Sequence, residues 1–178
     1  MKNTKFHYVV ATAIIIKDGK FLITKRAPWE KAFPNEWTVP GGKLETNDYI
    51  KLPKDGVNQW YNITEKLLKR EVMEEVGLKI KNIRYLCDLV FIRPDNIPVV
   101  TLSYYADWAG GKVKLAKDQV DFVWVSLKEA KNYKLIEGIY DELRMLDKIL
   151  KGKKVIRWMK GKELTKHSNI LKNIRISF

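Results

Sequence analysis

Three glutamates lie close together in the chain, at Glu71, Glu74 and Glu75. On a helix, residues three and four positions apart are neighbours, so Glu71 shares a face with Glu75 and lies beside Glu74. Three like charges at this spacing repel one another and cost helix stability unless a cation lies among them. Mg²⁺ prefers carboxylate oxygens and completes its coordination with water and substrate phosphate. The spacing therefore suits a divalent-metal site, although a solvated acidic helix face has the same pattern.

A glycine-rich turn, Val39-Pro40-Gly41-Gly42, lies upstream of the glutamates. Two adjacent glycines let the backbone approach a ligand or a neighbouring helix closely, because neither carries a Cβ atom. A Pro-Gly-Gly turn is a weak signal by itself. The turn becomes informative because the glutamate segment follows it in the chain.

Together the two segments resemble the Nudix family of hydrolases, which includes the MutT-like enzymes. The family's box is written G-x5-E-x7-R-E-U-x-E-E-x-G-U, where U is a bulky apolar residue. The second half of the box matches at every fixed position from Arg70 to Leu78, and the first glycine matches Gly42.

One departure from the family pattern is clear. Gly42 and Arg70 are 28 positions apart where the pattern allows 14, so 14 extra residues interrupt the box at about residues 48–62. The first box glutamate falls on Asp48 when counted from Gly42 and on Asn62 when counted from Arg70. Both alternatives stay open, and the change bears on the loop geometry more than on metal binding.

The resemblance implies a fold and an activity. The fold is a Nudix-type α/β/α sandwich with a mixed β-sheet. The activity is Mg²⁺-dependent hydrolysis of a pyrophosphate bond in a nucleoside triphosphate or another nucleoside diphosphate derivative, with Mn²⁺ as a substitute ion. The partner is thus a small-molecule nucleotide. The alternative is a catalytically inactive Nudix-fold module that binds nucleotides or RNA.

The resemblance also assigns roles to individual residues. The predicted metal ligands and catalytic residues are Glu71, Glu74 and Glu75. Residues predicted to contact substrate are Lys25, Arg26, Gly41 and Gly42. Structural support is assigned to Arg70 and Gly77. The general base stays open, with Asp118, Asp121 and Glu129 as candidates outside the box.

The elements that must position these residues follow from apolar periodicity. Residues 6–16 are apolar on both alternating faces, which predicts a central strand. A helix over 64–76 has an apolar face and ends at Gly77. Further strands are predicted at 21–24, 79–92, 99–108 and 120–125, and helices at 126–130 and 136–150. This mixture independently favours an α/β sandwich with a mixed sheet.

Composition divides the 178-residue chain in two. Of the net charge of +13, residues 151–178 carry +8, so we predict a Nudix hydrolase domain over 1–150 and a basic C-terminal extension over 151–178. Such an extension can attract nucleic acid, which we do not favour, or complete a homodimer, or fold back on its own domain. No apolar run approaches the ~20 residues of a membrane span. The single cysteine, Cys87, suits the reducing cytoplasm.

The insertion carries three aromatic residues, Tyr49, Trp60 and Tyr61. They can anchor the loop to the core or form a lid over the site, and we favour anchoring. The intact glutamate triplet argues for an enzyme, since a pure binding role gives no reason to keep three repelling carboxylates. The interrupted first half of the box argues for the binding module.

Overall fold

Strand β1, Tyr8–Lys17, lies in the middle of the fold because both of its faces are apolar. It pairs antiparallel with β2, Lys20–Arg26, and parallel with β6, Pro98–Gly110. Ile14 is buried in the core on one face and Ile15 in the core on the other. The predicted central strand is therefore confirmed.

A computed structural model describes residues 6–155 and 157–158 of the chain. Within them, seven strands form one mixed sheet in which β3-β2-β1-β6-β5 are neighbours, while β4 pairs with β1 and β7 with β2. The remaining strands are β3, Trp37–Thr38, β4, Gly41–Lys43, β5, Lys79–Ile92, and β7, Gln119–Val125. Strands β3 and β4 were not predicted, because segments of two and three residues carry no periodicity and exist through pairing with β2 and β1.

Helices cover both faces of the sheet. On one face, α1, Ile63–Val76, packs the fully buried Leu68 and Val72 against the core that contains Ile15. On the other face, α2, Leu127–Ala130, and α3, Ile139–Leu150, close the core that contains Ile14. This arrangement confirms the α/β/α sandwich with a mixed sheet.

The helix ends differ in how well the sequence located them. Helix α1 ends as predicted at Gly77, whose left-handed φ of 68° lets its N–H donate to the Met73 carbonyl. Helix α3 begins at Ile139, three residues later than predicted, after Gly138 at φ 92°. The difference arises because the Ile136 N–H donates to the Trp37 carbonyl at 2.9 Å, so this segment joins β3 instead of the helix.

The insertion folds onto itself at the surface. The rings of Tyr49 and Trp60 lie 5.1 Å apart, and the Trp60 indole N–H donates to the Leu52 carbonyl at 3.1 Å. These contacts bring the two ends of the insertion together, while anchoring of the loop to the core stays a prediction.

Helix α3 ends at Leu150, and most of the basic extension predicted over 151–178 lies outside the described residues. In the part of the chain that is described, no helix is long and apolar enough to cross a membrane.

Candidate active site

A cleft of about 1070 Å³ opens beside the Gly41–Gly42 turn. Helix α1 lines it with Glu71 and Glu75, and the end of β2 lines it with Arg26. The cleft therefore gathers two of the three predicted box glutamates, both glycines and one of the two predicted substrate cations.

Glu75 lies deep in this cleft and is held by backbone. The Gly41 N–H donates to Glu75 Oε2 at 3.0 Å. Burial raises the pKa of Glu75 to about 8, and the charges of Asp118 and Glu71 act in the same direction, while the Gly41 hydrogen bond and Arg26 lower it. The negative charge of this carboxylate is thus incompletely balanced by the protein, which is what a bound cation would correct.

The two glycines are required by close approach. A Cβ atom at Gly42 would overlap the Glu71 carboxylate, and one at Gly41 would overlap the Ala11 carbonyl oxygen on β1. The turn thus packs directly against α1 and β1, which explains why two residues without side chains stand here. Burial also raises the pKa of Glu71, although its ion pair with Arg70 lowers it.

Arg70 connects the helix to the start of the insertion. Its guanidinium pairs with Glu71 Oε1 at 2.8 Å, Glu74 Oε2 at 2.7 Å and Asp48 Oδ1 at 2.7 Å. The Asp48 side chain is only 8% exposed, and its Oδ2 accepts from the Glu45 N–H at 2.7 Å. Asp48 therefore joins the box loop to Arg70.

The two positions left open for the first box glutamate are now distinguished by geometry. Asp48 contacts Arg70, whereas Asn62 precedes α1 in a left-handed conformation with no side-chain capping hydrogen bond. Because Asp48 and not Asn62 contacts Arg70, we interpret the 14 extra residues as following Asp48, which gives the loop from Gly42 to Asp48 the length of the family pattern.

Two predicted site residues lie apart from the rest. Glu74 pairs with Arg70, its side chain is 57% exposed, and it is not among the cleft-lining residues. Lys25 is also absent from the described lining and lies opposite Asp121 on β7. Arg26 does line the cleft, where its Nε donates to the Ala32 carbonyl at 2.8 Å and its guanidinium pairs with Glu30.

The three candidates for a general base occupy different places. The charge of Asp118 acts on Glu75, and its side chain is half-buried. Asp121 is exposed and accepts from the Phe122 N–H. Glu129 caps α2, where it accepts from the Ser126 N–H at 2.8 Å. Of the three, Asp118 is the one whose charge acts on a cleft residue, since it raises the pKa of Glu75.

The donor set suits a hard divalent ion. Glu71 and Glu75 offer carboxylate oxygens on one helical face, with raised pKa values that indicate a shortage of positive charge. Among the described residues no group of three acidic, histidine or cysteine side chains is gathered around one point, because Glu74 pairs with Arg70. Mg²⁺ commonly uses one or two carboxylates together with water and phosphate oxygens, so the pair fits.

Among the cleft-lining residues that sequence reasoning did not select are Gln119, Glu142 and Trp158. Only Glu142 carried a usable signal. It stands three residues after Ile139 and four before Leu146, so helical spacing places this acid on the buried apolar face of α3. Gln119 and Trp158 reach the cleft through packing that no local spacing encodes.

Comparison with known proteins gives one family. The NUDIX domain model matches residues 6–146. A nucleoside triphosphatase, NudI of Escherichia coli, is 23% identical over 147 residues, covering 76% of this chain and 94% of its own.

Solved structures show the same fold. The MutT protein of Methanosarcina mazei Go1 superposes with a TM-score of 0.63 at 21% identity, covering 82% of this chain and 96% of its own. The NUDIX domain of Shewanella oneidensis NrtR, complexed with ADP ribose, gives 0.64 at 18% identity, covering 83% and 90%.

Proposed function

The chain belongs to the Nudix hydrolase family, and we propose that it is a Mg²⁺-dependent pyrophosphohydrolase acting on a nucleoside triphosphate or another nucleoside diphosphate derivative. The observation that carries the proposal is the pair Glu71 and Glu75. Both carboxylates line the cleft, both have raised pKa values, and the Gly41–Gly42 turn packs against them.

Glu71 and Glu75 would hold the metal, with Glu74 as the third predicted ligand once it leaves Arg70. A bound Mg²⁺, or Mn²⁺ in its place, supplies charge neutralisation for the diphosphate and lowers the pKa of a coordinated water. Phosphoryl transfer depends mainly on positioning and charge, so a rigid set of carboxylates is the part that the protein must provide.

The remaining cleft residues position the substrate and the helix. Arg26 presents a planar guanidinium, which matches phosphate oxygens better than an ammonium group does. Arg70 fixes the Glu71 rotamer and, through Asp48, the loop that carries Gly42. Asp118 is half-buried and its charge acts on Glu75, so it is the remaining candidate for taking the proton of the attacking water.

Two substrate classes are supported by relatives. The E. coli protein is named a nucleoside triphosphatase, and the Shewanella domain is complexed with ADP ribose. We place nucleoside triphosphates first because the E. coli protein is 23% identical to this chain, whereas the Shewanella domain is 18% identical. The hydrolase domain is proposed to comprise residues 1–150, and the cytoplasmic location stays a prediction from the single cysteine.

The inactive binding module is the second candidate, and the interrupted box was its main support. Since Asp48 braces Arg70 in spite of the insertion, the interruption leaves the box connected, and this favours the enzyme.

The proposal is tested by product release from a panel of nucleoside triphosphates, ADP-ribose and nucleotide sugars, with Mg²⁺ and with chelator. We expect metal-dependent turnover of one class. Removing a charge that acts on the transition state costs on the order of a hundredfold, so Glu75→Gln should lose that much activity or more.

The matched control is Glu65→Gln, an exposed acid in the first turn of the same helix, which should retain full activity. Turnover by Glu75→Gln equal to that of Glu65→Gln would refute the proposed site. Bound but unhydrolysed nucleotide across the whole panel would identify the binding module instead.

A further inference from the structure

A second acid lies in the cleft, on the opposite helix layer. Glu142 of α3 is 3% exposed, and its Oε2 has no hydrogen-bond partner among the described residues. Ser103 on β6 provides a hydrogen bond to the carboxyl group, and Ser103 itself accepts from the Thr12 hydroxyl at 3.2 Å. Thr12, Ser103 and Glu142 all line the cleft.

A second acceptor in the cleft is also unsatisfied. Gln119, at the start of β7, is 4% exposed, and its Oε1 has no partner in the described part of the chain. Leaving a buried polar atom without a hydrogen bond is costly, and such atoms are rare in native proteins. Two unsatisfied acceptors in one cleft therefore point to a ligand that brings N–H donors.

We propose that the cleft selects guanine nucleotides, with the Glu142 carboxylate accepting hydrogen bonds from the ring N1–H and the exocyclic amino group of the base. The proposal rests on the proposed function for the phosphate end of the ligand and adds the identity of the base.

The choice of guanine follows from hydrogen-bond inventory. An ionised carboxylate only accepts, and it pairs most strongly with two adjacent donors. Guanine offers two such donors on one edge. Uracil and thymine offer a single N–H between two carbonyl oxygens, which would face the carboxylate unfavourably. Adenine and cytosine place an acceptor beside their amino group and would require a protonated Glu142, so the comparison of bases is made at pH 8, above the pKa of about 7.

The basic extension adds an aromatic wall to the same cleft. Trp158 is 42% exposed and lines the cleft, although it lies beyond the residues that match the family model. Base stacking on an aromatic ring is tolerant of sequence because every base has a π-face. Trp158 is therefore assigned to stacking, which strengthens binding without distinguishing one base from another.

The test compares kcat/KM and equilibrium affinity for GTP, ITP, ATP, CTP and UTP, with hydrolysis-resistant analogues for the binding arm. We expect GTP to be preferred, and ITP, which lacks the exocyclic amino group, to fall by roughly tenfold or more. Glu142→Gln keeps the side-chain size and should lose the preference for GTP over ITP and ATP. A thermal melt confirms that the variant is folded.

Two controls separate base selection from general effects. Glu137→Gln neutralises an exposed acid that also lines the cleft and should keep the guanine preference. Trp158→Ala should weaken all five nucleotides by a similar factor, and Trp158→Phe should restore most of that loss.

The outcomes of the two proposals are distinguishable. Hydrolysis with equal preference for all bases, with a preference for adenine or cytosine, or with a guanine preference that survives Glu142→Gln would overturn guanine selection while leaving the proposed function intact. Binding of the GTP analogue that depends on Glu142, without any turnover, would support guanine selection and refute the hydrolase.

Discussion

The cleft holds two acidic sites, one half-buried on α1 and one buried on α3, that differ in how the protein satisfies their charges. On α1, Glu71 pairs with Arg70, and Glu75 accepts from the Gly41 N–H. On α3, Glu142 has a serine beside it and one oxygen without a partner in the described residues. The first site is braced by the protein, which suits groups that must hold a metal in fixed geometry. The second site leaves hydrogen-bonding capacity unused, which suits recognition of a ligand.

The largest expected effect is on the braced site. Gly42→Ala places a methyl group where the Glu71 carboxylate now lies, so the carboxylate must move. A displacement of about 1 Å in a positioned group costs on the order of a hundredfold in rate. We therefore expect kcat/KM to fall by roughly that factor while the thermal melt changes little.

The control for this substitution is Gly19→Ala, where a Cβ atom would meet nothing within 4 Å in the turn between β1 and β2. Gly19→Ala adds left-handed backbone strain at φ 72°, which Gly42→Ala does not, but it should keep its activity because Gly19 is not among the described cleft-lining residues. Equal activity in the two variants would mean that Glu71 does not need its present position.

The second prediction concerns Glu142, and the quantity measured is the free energy of unfolding. Burial raises the pKa of Glu142 from 4.5 to about 7, while Ser103 lowers it. The folded protein thus binds this proton more tightly than the unfolded chain does. Protonated Glu142 therefore makes its full contribution to the free energy of unfolding below pH 4.5, and this contribution is lost as the pH rises through about 7.

Glu142→Gln removes this penalty. We expect the variant to be more stable than the wild type at pH 8, by roughly 2–3 kcal/mol, and to gain nothing at pH 4. Urea unfolding at both pH values measures the difference. A gain that is the same at both pH values, or none at pH 8, would show that the ionised carboxylate is already satisfied.

The smallest effect is expected at the brace between the box loop and α1. Asp48→Asn weakens the ion pair to Arg70 and leaves the carboxylates of Glu71 and Glu75 in place. Groups that orient a metal ligand from behind it typically contribute 10–100-fold in metal affinity or activity, and we expect about tenfold here. Asn62→Gly is the matched control because Gly tolerates the left-handed φ of 56° and no capping bond is lost. If Asn62→Gly lost as much activity as Asp48→Asn, the Asp48–Arg70 ion pair would not be the contact that supports the site.

The same contrast explains what the sequence could predict. Glu71, Glu74 and Glu75 were selected because helical spacing is a local rule, and α1 indeed runs through them to Gly77. Counting along the chain left Asp48 and Asn62 equivalent, because an insertion shifts the count from one side only. Three-dimensional pairing with Arg70 was needed to choose between them.

The base end of the cleft was largely beyond sequence reasoning. Glu142 meets Ser103 across 39 residues of chain, and Gln119 and Trp158 arrive from other elements. Only the spacing of Glu142 within the apolar face of α3 hinted at its burial. The late start of α3 was missed for the same reason, since the pairing of Ile136 with β3 is a long-range contact.

The most direct test of the metal site is Mn²⁺ titration of the wild type, Glu75→Gln and Glu65→Gln at pH 7.5, followed by electron paramagnetic resonance and proton release. Since the pKa of Glu75 is about 8 without metal, the wild type should release a proton as the ion binds. Glu75→Gln should bind at least tenfold more weakly and release fewer protons, with Glu65→Gln unchanged. Equal Mn²⁺ affinity in all three proteins would contradict the assignment of Glu75 to the metal.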